Sequence, residues 1–187
     1  MVKSKINIRF QIFSFCFLGN KFFSSSTSTV LRSYKYLSPR QTVNIIAIEA
    51  PKYGQGSYTI AQITYILQAC YTAYSAAKRL ARITFNLNHR LESNDELKTS
   101  IHTGWFGCGA YGGNRTIMII LQILAAKLAG IDRLIFHTVT SDYVDDQRRA
   151  IAFLTNLFQE DRTHFVLDDL IERIHQENFQ WGWSNRT

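Results

Sequence analysis

Between Gly104 and Gly113, five glycines (Gly104, Gly107, Gly109, Gly112, Gly113) fall within ten residues, interleaved with Trp105, Phe106 and Tyr111. Glycine accepts positive φ and lets a ligand come close to the backbone, so such a run is expected to turn several N–H groups one way. Asn114 suits an N-cap, and the helix it opens would direct its positive end toward whatever the loop holds. Anion binding is the chemistry this serves, phosphate most of all. The interleaved aromatics suit an anion that carries a sugar or a base. Loops of this kind also join strands to helices in α/β folds without binding anything, so a nucleotide site and an empty connection both stand. GxxxxGK[ST] is absent, which excludes an ATP-binding P-loop. Nor does the spacing give GxGxxG after a clean strand with an acid at the right distance downstream, which argues against a Rossmann dinucleotide site.

The elements that must position this loop are legible from periodicity. Ile117, Ile120, Leu121, Leu124 and Leu128 cover much of a central helix, which Gly130 ends. Residues 133–139 read as a buried strand whose C-terminal end belongs beside the site. Upstream, residues 43–50 (VNIIAIEA) read as a strand stopped by Pro51, and residues 53–56 as a turn. Residues 59–82 read as a helix with Ile63, Ile66, Leu67, Cys70 and Tyr74 inward, and residues 31–36 alternate like a strand. Residues 86–100 read as a polar loop. Asp142 is the expected cap of a helix over 143–159. Asp161 or Thr163 would cap a last helix to Gln176 with Val166, Leu170, Ile171 and Ile174 inward. Trp181 and Trp183 are expected to cover an edge. Residues 1–17 combine a basic start with a short, interrupted apolar run; a strand is as good a reading as a leader peptide.

Composition sets the class. The chain has 187 residues, 46% hydrophobic and 19% charged, enough for one globular domain with a real core. The formal charge of +7 suits an anionic ligand or polymer, but the basic residues are scattered, so the support is weak. Three cysteines (Cys16, Cys70, Cys108) make neither a disulfide framework nor a zinc site. Their odd count fits a reducing compartment, and the expected localisation is intracellular, nucleus or cytoplasm. No run is long and apolar enough to span a bilayer. Asn114-Arg115-Thr116 and Asn185-Arg186-Thr187 match the glycosylation pattern but read as accidental.

The block TGWFGCGAYGG at 103–113, followed by a helix carrying LQILAA and then a strand, resembles the C-terminal part of the poly(ADP-ribose) glycohydrolase catalytic domain. In that family the loop reads TGNWGCGAFGG. The resemblance is strong over 101–139 and loose over 22–176. It implies a macrodomain-like α/β/α sandwich with a mixed sheet, incomplete at the N-terminus, with residues 1–40 a divergent or truncated segment and 41–180 the family domain. It further implies that Gly107, Cys108, Gly109, Ala110, Tyr111, Gly112, Gly113 and Asn114 line an ADP-ribose site, with Tyr111 in place of a family Phe. A ligand-facing aromatic of the family would fall at Thr29, Val30 or Leu31 and is absent. Glu49-Ala50 stands for the family's Asp-Ala at the end of a comparable strand.

The implied activity is hydrolysis of the ribose–ribose O-glycosidic bonds of poly(ADP-ribose), releasing ADP-ribose, in ADP-ribosylation turnover and the DNA damage response. The implied partner is ADP-ribose or its polymer. No metal, other cofactor, membrane or direct nucleic-acid contact is expected, and nothing bears on oligomeric state. Such hydrolysis needs a carboxyl group to protonate the leaving oxygen. The family takes it from a three-glycine loop followed by Gln-Glu-Glu, well upstream of the matching block. This sequence has no three-glycine run, and its Gln159-Glu160 and Gln176-Glu177 pairs fall on expected helices. Glu49 is not expected to replace that acid, nor is His102 expected to act alone. The chain as given is therefore expected to lack catalytic residues. It reads as an inactive family member, as a non-catalytic ADP-ribose-binding module, or as a fragment of a longer active enzyme.

Overall fold

The computed structural model describes residues 7–12, 25–33, 38–39, 44–51, 54–88, 97–109, 111–138, 143–160 and 166–182. In chain order its elements are β1 (Asn7–Ile12), α1 (Thr27–Ser33), α2 (Ile60–Asn88) and β2 (Ser100–Thr103), then α3 (Arg115–Leu128), β3 (Arg133–Thr138), α4 (Val144–Glu160) and α5 (Leu167–Gln176). The three strands form one sheet in the order β1-β3-β2, with both pairings parallel. Antiparallel pairing among the described residues is limited to one bridge, Ser57 to Gln180.

Helix α3 is the centre. Every residue from Thr116 to Ala126 is buried, so it is apolar all round rather than on one stripe. Asn114 caps it as expected: the Asn114 Oδ1 accepts from the N–H of Thr116 at 3.0 Å and of Ile117 at 3.4 Å. At the other end Gly130, at φ +66°, donates to the Lys127 carbonyl, while Ile131 donates to that of Ala126. That is the paired closure in which a left-handed glycine satisfies the last carbonyls of a helix. Leu128, expected inward, is 53% exposed because the helix has left the core by then.

Around α3 lie α2 and α4, with α5 packed on α2. Leu134 and Phe136 of β3 join α3 in one apolar cluster. Helix α2 starts with a reciprocal cap: the Thr59 N–H donates to Gln62 Oε1 at 2.9 Å and the Gln62 N–H to Thr59 Oγ1 at 3.2 Å. It buries Ile63, Ile66, Leu67, Cys70 and Tyr74 as the spacing requires, and it runs to Asn88, past the expected end at 82.

Several expectations are corrected. Residues 27–33 are helical, so the strand read from 31 begins inside α1, where the Arg32 side chain reaches back one turn to the Ser28 carbonyl. Residues 44–50 belong to no strand, and Ile45 is 85% exposed: the run has strand composition but makes no ladder. Residues 86–88 finish α2 rather than start a loop, and Ser100 opens β2, a strand that periodicity missed in a polar stretch of four residues. The last helix starts at Leu167 with Val166 at its cap position, no side-chain cap, and Val166 is 55% exposed; Leu170, Ile171 and Ile174 are buried as expected. Asp142, Asp161, Thr163 and Trp183 lie outside the described residues. Residues 7–12, within the first forty, contribute β1 to the same sheet.

Candidate functional site

Strand β2 delivers the chain to Gly104, and α3 takes it up at Arg115, so the glycine loop sits at the C-terminal end of parallel strands. That is where open α/β sheets place their ligands. The loop is closed by its own backbone. Cys108 donates to the Trp105 carbonyl at 3.1 Å, Gly112 to that of Gly109 at 3.0 Å, and Gly113 to that of Gly107 at 2.8 Å. Gly107 and Gly112 stand at φ +70° and +66°, where a side chain is strained. A Cβ on Gly113 would sit 2.7 Å from the Gly107 oxygen, so the crossing of the loop on itself admits only glycine.

This closure revises the expected geometry. The N–H groups of Phe106, Cys108, Gly112 and Gly113 close back onto the run, and those of Thr116 and Ile117 go to Asn114, so fewer donors point outward than the composition suggests. Among the described residues, Gly107 and Gly109 keep N–H groups that meet no backbone carbonyl.

Of the eight residues singled out from sequence, Gly107, Cys108, Gly109, Gly112, Gly113 and Asn114 are gathered here, and Tyr111 projects at 39% exposure. Ala110 lies outside the described residues. The aromatics divide. Trp105 leans on Phe136 and Tyr143, with ring centroids 6.2 and 5.6 Å apart, and Phe106 packs on the core, so Tyr111 alone stands out from the loop. Burial pushes the Cys108 thiol up to about 12, with Arg115 lowering it and Asp146 raising it to a lesser degree. A thiol held that high is a packing group, not a nucleophile. Arg115 lies over the Trp105 ring at 5.5 Å and faces Asp146 at 3.9 Å.

Sequence reasoning missed four contributors. Gln122, fully buried on α3, accepts from Thr103 Oγ1 at 2.6 Å and Tyr74 Oη at 2.9 Å and donates to the Gly104 carbonyl at 3.2 Å. It ties the start of the loop to two helices. Tyr58 accepts from the Asn114 N–H at 2.8 Å and stacks on Trp181, centroids 4.3 Å apart. Burial raises the Tyr58 hydroxyl above the usual phenol range, so it stays protonated. The stretch 178–182 then braces the end of the loop: Gly182 donates to the Gly112 carbonyl at 2.8 Å, and Asn114 Nδ2 to that of Gln180 at 3.0 Å. Finally His102 is not alone. His137 lies two residues past its register partner Ile135, and the two rings stack with Nδ1 of His102 2.7 Å from Nε2 of His137. A polar residue in a helical apolar run was the one available signal for Gln122. The histidine pair needed the sheet register.

Ala50 and Pro51 lie against the loop, since a Cβ on Gly107 would meet the Ala50 Cβ at 3.3 Å, and Glu49 beside them is exposed. A cleft of about 770 Å³ opens beside β2, walled by Asn44, Ile45, Ile46 and Ile48, by α2 from Ala73 to Ala81, and by Gly104, Trp105 and Phe106. Among the described residues no three His, Cys, Asp or Glu side chains gather as a metal site would require, and no helix is long and apolar enough to cross a membrane.

A parallel α/β sheet with a glycine loop at its C-terminal end and a cleft beside it is consistent with a domain of the macro domain type. Residues 18–146, more than half of the chain, match the family model described as poly(ADP-ribose) glycohydrolase, macro domain fold, and the chain belongs to that family. No curated protein sequence matches it significantly. The bracing residues 178–182 lie beyond the matched region.

Proposed function

We propose that this chain grips the ADP-ribose unit of poly(ADP-ribose) at the 104–114 loop and that, as the 187-residue chain, it does not cleave the polymer. The observation that carries the reading is the closed loop. Gly107 and Gly112 at positive φ and the Gly113-to-Gly107 hydrogen bond hold the backbone rigid, with the Gly107 and Gly109 N–H groups left over, beside a cleft of about 770 Å³. Preorganised backbone donors cost little ordering on binding, which favours a diphosphate over competing water. Tyr111 offers its exposed ring to the ribose or base.

Hydrolysis is a separate requirement. It needs a carboxyl group within reach of the leaving oxygen, and the sequence has no three-glycine, Gln-Glu-Glu segment to bring one. Family membership supports glycohydrolase chemistry for the complete catalytic domain. No metal or redox cofactor enters the reading. The nucleus or cytoplasm is the proposed compartment, which the odd cysteine count of the sequence suits.

The test is calorimetric titration of ADP-ribose into the folded 187-residue protein, with AMP as control and polymer cleavage followed in parallel. Saturable ADP-ribose binding, lost on changing Tyr111→Ala and Gly112→Ala together, with no polymer cleaved, is the expected result. No heat from a folded sample overturns the grip; release of ADP-ribose from polymer overturns the inactivity.

A further inference from the structure

Two successive peptide planes of the loop are held from outside it. In the first, Gly112–Gly113, the carbonyl accepts from the Gly182 N–H at 2.8 Å, and the N–H on the opposite side donates to the Gly107 carbonyl at 2.8 Å. In the second, Gly113–Asn114, the N–H donates to Tyr58 Oη at 2.8 Å. A peptide unit turns as one plane, and glycine on either side of the first lets it turn at little steric cost. Its direction is therefore fixed by that pair of hydrogen bonds. One of the pair, and the bond on the next plane, come from groups far along the chain.

Trp181 joins these outside groups. It precedes Gly182 in the chain, and its indole stacks on the Tyr58 ring with centroids 4.3 Å apart and planes 12° from parallel. The ring also lies against the backbone of Gly54, where an added Cβ would come within 1.9 Å of it. Backbone bonds seat it there: Trp181 donates to the Gly56 carbonyl at 2.8 Å and Tyr58 to that of Phe179 at 3.0 Å, around the Ser57–Gln180 bridge. The indole Nε1 donates to Gln62 Oε1 at 3.3 Å. Trp181 forms no part of the cleft wall, so its hold on the loop is indirect.

We infer that Trp181 is a positioning residue: packed on Gly54 and Tyr58, it keeps the Gly182 N–H and the Tyr58 hydroxyl on the 112–114 planes and thereby sets the affinity of the loop for a diphosphate. The inference rests on the loop reading above and extends it to a segment beyond the family-matched residues. Glycine loses more freedom on ordering than any other residue, so a ligand that meets an unbraced loop loses affinity to that ordering. The coupling is reciprocal. A bound diphosphate must tighten the brace by the factor by which the brace tightens binding.

The experiment reads the coupling in both directions. ADP-ribose is titrated by calorimetry into the full chain, Trp181→Ala and Trp181→Phe, and amide hydrogen exchange is followed on the same samples. Trp181→Ala should bind roughly tenfold more weakly, and Trp181→Phe, which keeps a ring on Tyr58, should restore most of the affinity. In the wild type, saturating ADP-ribose should slow exchange of the Trp181 and Gly182 amides by a similar factor and leave the Ile174 amide of α5 as it was. That measurement needs no variant, so it stands even where Trp181→Ala fails to fold. Wild-type affinity in folded Trp181→Ala, or brace amides indifferent to the ligand, overturns the inference. So does an equal slowing at Ile174, since the ligand would then only stabilise the fold as a whole. If the wild type gives no heat with ADP-ribose, the loop reading falls by itself. The Gly113 amide then judges the brace: faster exchange in Trp181→Ala than in the wild type sustains the positioning role, and equal rates overturn it.

Discussion

Residues 44–51 and residues 100–138 both carry strand-forming, apolar sequence, yet only one of them is built in. In 100–138 each element is secured by its sequence neighbours: β2 pairs with β3, the loop crosses itself, and α3 is capped at both ends from within. Residues 44–51 line the cleft beside β2, contribute Ala50 and Pro51 to the wall of the loop, and leave Ile45 at 85% exposure. Composition makes a strand possible; a partner for its hydrogen bonds makes it one. The site is rigid on the side of 100–138 and open on the side of 44–51.

Mutation should expose that contrast most sharply in the core. Phe136→Ala removes a fully buried ring from β3 and should cost about 4 kcal/mol, read as a fall in the urea midpoint. Gly113→Ala should cost about 3 kcal/mol, because its methyl group meets the Gly107 carbonyl, and should abolish ADP-ribose binding in a sample still helical by circular dichroism. Gln122→Leu leaves Thr103, Tyr74 and the Gly104 carbonyl without their buried partner; about 2 kcal/mol is expected, with ADP-ribose affinity reduced as the loop loses its tether.

The histidine pair gives a pH signature to the same region. Burial first, and then the His102 ring, hold His137 below the ordinary histidine value of 6.5. In that range the unfolded chain binds more protons than the folded one, so stability falls as pH drops below 6.5. Urea midpoints measured between pH 5 and 7.5 should show the fall, and His137→Asn should flatten it. At the bottom of the scale, Ile45→Ala should change the midpoint by less than about 0.5 kcal/mol. A larger loss would mean that 44–51 is packed as firmly as 100–138, and the contrast would collapse.

Much of the second half was readable before any coordinates. A helix that caps itself with Asn114 and closes with Gly130 needs nothing beyond its neighbours, so residue type and period 3.6 suffice. The same holds for the inward row from Ile63 to Tyr74. The glycine motif forms one loop that crosses itself between Gly107 and Gly113. What the motif did not disclose was the direction of its N–H groups, because whether an amide closes a turn or points outward depends on φ and ψ at each step.

The sequence by itself determined the central helix, the glycine positions and the family to which the chain belongs. Only the tertiary structure decided which apolar run became a strand and that His102 has His137 as neighbour. It alone decided that Gln122 holds the loop and that residues 178–182 return to brace it. Each of those facts is a contact between groups far apart in the chain. Periodicity reports which face of an element is apolar, whereas register and packing choose what that face meets.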